Sequence, residues 1–461
     1  MSLPIGLGGG SGYAGSGRKG DKGLALPLTE TIRLAWADPD LRQRIIFVLF
    51  MFGVFALGVH VPVPIPGISS EAVMDKLKNM PQFQYLDVFA GGALRRLSIF
   101  ALGLTPYITA SIIMQILQTA LPNLKKEMQE GGEYARKKNN QRTRFLALAL
   151  CVIQGFGLLT MLSGALPMGM TPFIRSAVVV FWTAGAMFQL WLGEQISERG
   201  IGNGVSLMIF AGIILSLPGQ SQRLWEGMQQ GIVHWYSPVI IIALFLGATW
   251  LIVYFTTAQR RIPIQHMKRT VGTKVMGGQT SYLPLSVNMA GVLPIIFAVS
   301  LIGMPYQFGT MAGGEKTTVG HILLTIAEWL SPGAKMPKGL VGSIIYTALI
   351  FFFTYFWTAI QYNVEDISNN LKRGGSFIPG VRPGKQTKDF LDGVISRITV
   401  VGAGFIAIIA LMQFISPQIA MLPQGQYISV IGGTSLLIMV SVALETMRQV
   451  EANLLMKQYG Q

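Results

Sequence analysis

The stretch AGGALRRLSIFALGLTPYITASIIMQIL, from Ala90 to Leu117, decides how this chain folds. It begins with paired glycines and paired arginines and continues as an apolar segment that carries Pro106. At membrane depth, irregular backbone is tolerated only where protein or water covers it, because lipid cannot satisfy free N–H and C=O groups. If the segment enters a bilayer, Ala90 to Arg96 is a short re-entrant element inside the protein, and the helix proper begins at Leu97.

Composition places the chain in a membrane. Hydrophobic residues make up 51% of the 461 positions and charged residues 12%, against about 25% charged residues in an ordinary soluble domain. That much apolar surface needs lipid around it. The single cysteine, Cys151, excludes an internal disulfide framework.

Apolar runs of bilayer-spanning length, about 17 to 25 residues, occur along the whole chain. We predict an all-α integral membrane protein with ten transmembrane helices. The ten runs lie near Ile45–Val61, Leu97–Leu121, Phe145–Leu162, Ala177–Leu192, Ile201–Leu217, Val239–Phe255, Val287–Gly303, Leu340–Ile360, Val394–Ile415 and Ile428–Leu444.

The basic residues set the orientation. Ten spans put both termini on one side of the membrane, and 27 of the 36 Lys and Arg residues fall on that side. By the positive-inside rule the termini face the cytoplasm. The net charge of +15 is then mostly a cytoplasmic membrane-protein surface, and we expect no direct nucleic-acid recognition.

The chain divides into two halves between two tails. We predict a flexible cytoplasmic N-terminal tail over residues 1–40, Gly-rich to about residue 23, and a cytoplasmic C-terminal tail over 446–461. Spans one to five occupy 41–220, and spans six to ten occupy 221–445. Because five is odd, a duplicated half inserts upside down, which gives an inverted repeat.

In an inverted repeat of this kind, span two corresponds to span seven. Span two follows Gly91-Gly92 and contains Pro106, and span seven contains Gly291 and Pro294. Glycine and proline interruptions at matching positions point to the site of action. A break there makes a movable stopper plausible. The alternative for Pro106 is a kink that serves helix packing alone.

Two cytoplasmic loops are strongly basic, and the first has no acidic residue between Thr256 and Ser286. One interpretation is a solvated, positive-inside loop. The other is a docking face for a large acidic or anionic partner, which the Gly/Pro turns around Val381 and Arg382 favour. The basic residues are Arg260, Arg261, Lys268, Arg269 and Lys274 in loop 256–286, and Lys372, Arg373, Arg382, Lys385 and Lys388 in loop 361–393.

Absent motifs restrict the chemistry. The sequence has no HExxH zinc motif and no P-loop lysine motif, and no acidic residue lies in the middle of a span. An ion-coupled transporter normally needs such groups to bind or relay its ion. We expect no enzyme activity and no cofactor. From the residues alone, a passive channel remains beside a secondary transporter for a small apolar or anionic solute.

Several long motifs resemble the SecY family of protein-translocation channels. The opening stretch is similar to that family's span-two signature, and WLGEQISERGIGNGVSLMIFAG, from Trp191 to Gly212, is similar to its second signature. PLSVNMAGVLPIIFA in span seven, NNLKRGGSFIPGVRPGKQT after span eight and GGTSLLI in span ten also match. The resemblance covers the chain from about Leu41 to Tyr459.

The resemblance implies a fold with assigned site residues. SecY channels have ten helices in two inverted halves around an hourglass pore, with a re-entrant plug and a lateral gate between spans two and seven. A hydrogen bond between two gate amides would hold the gate shut. Carried over by motif, the pore ring is Leu104, Ile108, Ile209, Ile296 and Ile438; the gate is Gln115, Asn288 and Thr109; the plug is residues 84–96, with Phe89, Gly91, Gly92, Arg95 and Arg96.

The same resemblance implies partners and a setting. An external motor, the SecA ATPase or a translating ribosome, would dock on the basic loops, with Arg382 matching a family position for that coupling. SecE and SecG would complete a heterotrimer, and the substrates would be secretory and membrane proteins, with apolar segments released into lipid. The expected setting is a bacterial cytoplasmic membrane, with a chloroplast thylakoid as the alternative.

Overall fold

The structure is a computed structural model that describes residues 28–64, 90–161, 171–266, 269–271, 274–276, 280–312, 314, 317–332, 337–421 and 433–459. Several of the sequence predictions lie wholly or partly outside these ranges. They include the Gly-rich tail to about residue 23, the first part of the plug with Phe89, the predicted docking residue Lys268 and the first five residues of predicted span ten, 428–432.

The described residues form helices in the spans and short strands between them. The helices are α1 (Leu28–Ala37), α2 (Pro39–His60), α3 (Thr105–Ala120), α4 (Pro122–Glu130), α5 (Gly132–Met161), α6 (Pro172–Arg199), α7 (Gly204–Gln229), α8 (Ser237–Thr257), α9 (Leu293–Met311), α10 (Thr318–Leu330), α11 (Lys338–Gln361), α12 (Val364–Arg373), α13 (Lys385–Ile419) and α14 (Thr434–Tyr459). The strands are β1 (Gln259–His266), β2 (Arg269–Val271), β3 (Lys274–Met276), β4 (Thr280–Ser286) and β5 (Ser376–Phe377).

Among the described residues, seven helical segments are long and apolar enough to cross a bilayer. They are α2, α5, α6, α7, α8, α11 with its continuation α12, and α13. The other three predicted spans coincide with α3, α9 and α14. The multi-helix membrane architecture is therefore confirmed, and ten spans are consistent with it.

Prolines mark where several of these helices begin. A proline occupies the first turn of α2, α3, α6 and α8, where its missing N–H is not needed and its fixed φ suits a helix. Pro106 is one of them, in the first turn of α3. The predicted span is thus interrupted directly before Pro106, and the alternative of a packing kink inside a helix was wrong.

The helix of span two also begins later than predicted, at Thr105 and not at Leu97. Residues 97–103 form turns, in which Leu97 has φ +46° and Gly103 has φ +58°. Leu97 and Ile99 are held by backbone hydrogen bonds to the segment after α2, and this pairing excludes helical bonding. The helix of span seven also begins later than predicted, because Val287 to Val292 form bends and turns before α9.

Both predicted tails need correction. Helix α1 lies within the predicted flexible tail, yet Thr31 and Ala35 are buried. At the other end α14 continues to Tyr459 and packs against that region. The Lys457 ammonium lies 2.9 Å from the Asp38 carboxylate and lowers the pKa of that carboxyl. The two ends of the chain thus pack together.

The first basic loop is a β-hairpin, which the all-α prediction did not anticipate. Strands β1 and β4 pair antiparallel from Gln259 opposite Ser286, with Ile262 and Ile264 buried on one face, as the period-two alternation of a strand allows. Strand β5, from the second basic loop, pairs with β1 at His266. The two loops therefore share one three-stranded sheet, in the order β4-β1-β5.

Candidate functional site

An apolar cavity of about 190 Å³ lies where helices from both halves meet. Its lining contains residues of α3, α7, α9 and α14 together with the residue that precedes α3. All five side chains predicted for the pore ring line this one cavity: Leu104, Ile108, Ile209, Ile296 and Ile438. Residues far apart in sequence thus converge on one place.

The predicted ring packs against the irregular segment that precedes it, residues 90–103, which we call the re-entrant segment. Leu104, Ile209 and Ile438 are buried in the same hydrophobic cluster as Ala90 and Ala93 of that segment. Ala93 is 0% exposed and Ala90 3%. An irregular segment is thus covered by protein, as its polar backbone requires in a bilayer.

The paired glycines give the re-entrant segment its turn. Gly91 has φ +69° and Gly92 has φ +82°, a region of backbone conformation that L side chains rarely adopt. Gly91 also packs against α7, since a Cβ there would lie 3.4 Å from the Cα of Gly212. Both glycines of the predicted plug therefore allow the positive-φ backbone conformation that the turn requires.

The end of the re-entrant segment is clamped by two helix glycines that the sequence analysis missed. A Cβ on Gly185 of α6 would overlap the carbonyl oxygen of Ile99, and one on Gly58 of α2 would overlap the ring of Phe100. The Phe100 ring also stacks on Phe55 with centroids 5.9 Å apart. Glycines inside otherwise apolar helices were the available signal, because they cost helix stability without such a contact.

The arginine pair reaches polar surroundings. Arg95 is half-buried and Arg96 is exposed. The Nη1 of Arg96 lies 2.6 Å from Nε2 of His60, and Nδ1 of His60 lies 2.8 Å from the carbonyl oxygen of Ala56. Since Arg only donates, His60 accepts at Nε2 and donates at Nδ1. The re-entrant segment is tied to the end of α2.

The predicted gate residues lie on α3 and just before α9, but their amides are not bonded to each other. Gln115 Nε2 donates to Ser111 at 3.3 Å, and Thr109 Oγ1 donates to the Thr105 carbonyl at 3.0 Å. Among the described atoms, neither Gln115 Oε1 nor Asn288 Oδ1 has a hydrogen-bond partner. An amide–amide bond needs one of these oxygens as acceptor, so the predicted hydrogen bond is absent here.

The two basic loops form one body, the loop body, which consists of β1 to β5, α12 and the turn 378–385. Ile262 and Leu285 of the first loop share a buried cluster with Val364 and Ile378 of the second. The His266 ring spans the joint, with Nδ1 2.8 Å from Ser376 Oγ and Nε2 3.2 Å from Ser281 Oγ. The sequence analysis treated the loops as two surfaces.

Six of the described basic side chains lie exposed on the outside of the loop body. Arg260 and Arg261 are exposed at the base of β1, opposite Leu285 and Pro284. Arg269 lies in β2 of the hairpin tip. The exposed cations of the second loop are Lys372, Arg373, Arg382 and Lys385.

The turn that carries Arg382 has a defined shape. Gly380 has φ +82° and Gly384 has φ +103°. Ser368 Oγ donates to the Gly384 carbonyl, and Thr387 Oγ1 donates to the Arg382 carbonyl, each at 2.9 Å. These bonds hold the backbone while the Arg382 side chain stays exposed, which agrees with the predicted shaped surface.

Known proteins of one family match this chain over nearly its whole length. The SecY family model matches residues 98–447. A protein translocase subunit SecY of Aquifex aeolicus is 38% identical over 441 residues, covering 94% of this chain and 99% of the relative. One of Halalkalibacterium halodurans is 40% identical over 429 residues, covering 91% and 96%.

Solved structures share the fold. A structure described as that of a protein conducting channel aligns with a TM-score of 0.63 at 19% identity, covering 89% of this chain and 92% of that chain. Sec61 in the canine ribosome-channel complex aligns with a TM-score of 0.60 at 18% identity, with the same coverage. Together with the family match and the full-length relatives, this establishes that the chain is a multi-pass membrane protein that belongs to the SecY family.

Proposed function

We propose that this chain is the central protein-conducting channel of a Sec translocon. It passes unfolded secretory polypeptides across the membrane and releases apolar segments sideways into lipid. One observation carries the proposal: five aliphatic side chains from both halves line a single cavity, and a buried re-entrant segment packs against them. In this proposal the side chains are the pore ring and the segment is part of the plug.

An aliphatic ring suits a channel that must accept any sequence. A hydrophobic constriction can close a pore by dewetting. Apolar side chains can also close around a peptide without offering it a specific hydrogen bond. Ile108 and Ile296 are only half-buried beside the buried Leu104, so two of the five have room to adjust.

The lateral exit in this proposal lies between α3 and α9. Apolar side chains gain about 0.3 to 0.6 kcal/mol each at the centre of a membrane helix, so a sufficiently apolar segment moves into lipid. The amide oxygens of Gln115 and Asn288 lack partners in the described structure. Opening between them therefore breaks no amide–amide bond.

Movement of the polypeptide is driven from outside, since the sequence carries no nucleotide-binding motif. The exposed cations of the loop body are the proposed docking surface for a SecA ATPase or a ribosome. The comparison with a ribosome-bound channel supports the second partner. We further propose a heterotrimer with SecE and SecG in a bacterial cytoplasmic membrane, with both termini in the cytoplasm and no enzyme activity of its own.

The decisive test places a cysteine in the ring. In a Cys151→Ser background, Ile296→Cys should crosslink to a cysteine in a secretory chain stalled midway through the membrane. Ile408→Cys is the matched control, because Ile408 is also an isoleucine of a span but is 64% exposed on the outside of α13. No crosslink from a membrane-integrated, stably stalled complex would overturn the ring, and equal crosslinking at both positions would do the same. In either case the small-solute transporter would be tested next.

A further inference from the structure

Helix α10 (Thr318–Leu330) belongs to neither the ring, the lateral exit nor the docking surface, yet it is strongly apolar. Its titratable side chains are His321 and Glu328. Its 13 residues extend about 20 Å at 1.5 Å per residue, against about 30 Å for the hydrocarbon core of a bilayer. An apolar helix of this length is too short to cross a membrane and suits a buried, re-entrant or interfacial position.

The side chains of α10 fall into three sectors around the helix axis, at about 100° per residue. The sector turned toward the protein is buried or partly buried and consists of Gly320, Leu323, Leu324, Ala327 and Leu330. The polar edge is exposed and consists of Thr318, His321, Thr325 and Glu328. The apolar edge is also exposed and consists of Val319, Ile322, Ile326 and Trp329. A helix between protein and water needs only an apolar and a polar face, so the apolar edge requires a third environment.

The inward sector fastens α10 to both neighbouring helices. A Cβ on Gly309 of α9 would lie 3.1 Å from the Cβ of Leu323. Leu330 packs against the buried cluster that α9 and α11 share. A Cβ on Gly342 of α11 would overlap the backbone of Ser331, the residue that follows α10. Helix α10 is therefore fixed to α9 near one end and to α11 at the other.

Both contact points lie where the neighbouring helices expose apolar side chains. On α9, Phe308 is 51% exposed directly beside Gly309. On α11, Leu340 and Ile344 are 53% and 62% exposed on either side of Gly342. Helix α11 is long and apolar enough to cross the bilayer, so its exposed apolar side chains face lipid. The apolar edge of α10 thus lies at the depth of the surrounding lipid.

The C-terminal end of α10 carries the residue types of a membrane boundary. The Lys338 ammonium, at the start of α11, lies 5.9 Å from the centre of the Trp329 ring and 2.7 Å from Glu328 Oε2. Tryptophan is enriched where acyl chains meet headgroups, and lysine near a helix end reaches toward water. Glu328 lies on the polar edge and Trp329 on the apolar edge, so the boundary between water and lipid runs along the helix.

We propose that the apolar edge of α10 inserts among lipid acyl chains while its polar edge faces water, and that this insertion anchors α9 to the bilayer. The leaflet is the one opposite the proposed cytoplasmic termini. Lipid is the occupant because α9 and α11 already face it at both contact points. The inference requires that the chain lies in a membrane and does not depend on what passes through the channel.

The test compares nitroxide labels on the two exposed edges, in the purified channel complex in nanodiscs. In a Cys151→Ser background, a label at Ile322→Cys should collide more with oxygen, which concentrates in lipid, than with an aqueous nickel complex. Thr325→Cys is the matched control, because Thr325 is exposed on the polar edge of the same helix, and its preference should be the reverse. Access of nickel to both labels would overturn the proposal, as would oxygen preference at both. Protection of Ile322→Cys from both reagents would mean that a protein covers the edge, which also overturns it.

The anchoring of α9 has a separate measurement. A nitroxide at Phe308→Cys should become more mobile in nanodiscs when Ile322→Ser and Ile326→Ser are combined, because the apolar edge then loses its hold on lipid. Thr325→Ser is the control and should leave the mobility unchanged. Unchanged mobility in the double variant would overturn the anchoring. Neither measurement bears on the Ile296→Cys crosslink, so failure here and failure of the proposed function are distinguishable.

Discussion

The segments before α3 and before α9 carry the same sequence signal and fold differently. Each has glycine followed by proline, and each leads into a helix that contributes to the predicted ring. Before α3, residues 90–104 form a long buried insertion held by other helices. Before α9, residues 287–292 form a short bend tied to the end of α8 by the Val287 N–H to Ala258 carbonyl bond of 2.9 Å.

The difference shows what the proline does and does not specify. In both segments it occupies the first turn, as Pro106 of α3 and Pro294 of α9, so it indicates where a helix begins. What comes before it depends on distant contacts. Gly58 and Gly185 make room for residues 99 and 100, and only then does a buried irregular segment become possible.

The largest expected effect compares the ring residues next to these segments. Leu104 is buried against Ala90 and Ala93, whereas Ile296 is half-buried. Leu104→Ala should lower the free energy of unfolding by about 2 to 5 kcal/mol through the cavity it leaves, and Ile296→Ala by less. Thermal unfolding in nanodiscs would measure both. Equal losses would contradict the tighter packing of the first segment.

The second comparison replaces by alanine one helix glycine that faces each segment, Gly185 for the first and Gly402 for the second. Gly185→Ala would push against the Ile99 carbonyl, and Gly402→Ala would place a Cβ 2.6 Å from the Val287 carbonyl. We expect Gly185→Ala to lower stability by about 1 to 3 kcal/mol and Gly402→Ala to lower it less. Gly404→Ala is the control, because no described atom lies within 4 Å of its Cβ. A harmless Gly185→Ala would show that α6 does not clamp the segment.

A smaller effect concerns the tie between Arg96 and His60. His60→Leu removes the acceptor that lies 2.6 Å from the guanidinium, while His60→Gln keeps an acceptor oxygen. Amide exchange at Ile99, whose N–H bonds the Val61 carbonyl near His60, should accelerate about threefold in His60→Leu. His60→Gln should stay close to the native rate. Identical rates in the two variants would mean that the contact does not restrain the segment.

The smallest effect is an expected absence of coupling across α3 and α9. Since the described atoms show no bond between the Gln115 and Asn288 amides, a cycle of Gln115→Leu, Asn288→Leu and the double variant should give a coupling energy below about 0.5 kcal/mol. Melting temperatures of the four proteins would supply it. A coupling above 1 kcal/mol, the scale of one interhelical bond, would restore the predicted gate bond.

Much of this architecture follows from local patterns. Apolar run length located the spans, and motif resemblance selected Ile209 and Ile438 among many aliphatic residues for one cavity. Periodicity alone could not have made that selection, since buried aliphatic residues are the default in any core. The turn around Arg382 was readable from its glycines and prolines.

What the sequence could not provide depends on contacts between distant elements. The late start of α3 reflects pairing of Leu97 and Ile99 with the segment after α2. The burial of α1 depends on residues more than four hundred positions away, such as Leu454. Neither of these leaves a periodic signal in its own stretch of chain.

The pairing of β5 with β1 has a mechanical consequence. A partner that pulls on the turn of Arg382 pulls on β5, and through the His266 to Ser376 contact it also pulls on β1. Strand β1 continues from α8, and β4 leads through the bend into α9. The loop body therefore moves as one unit, and a force on any of its exposed cations reaches α9 through β4 and the bend.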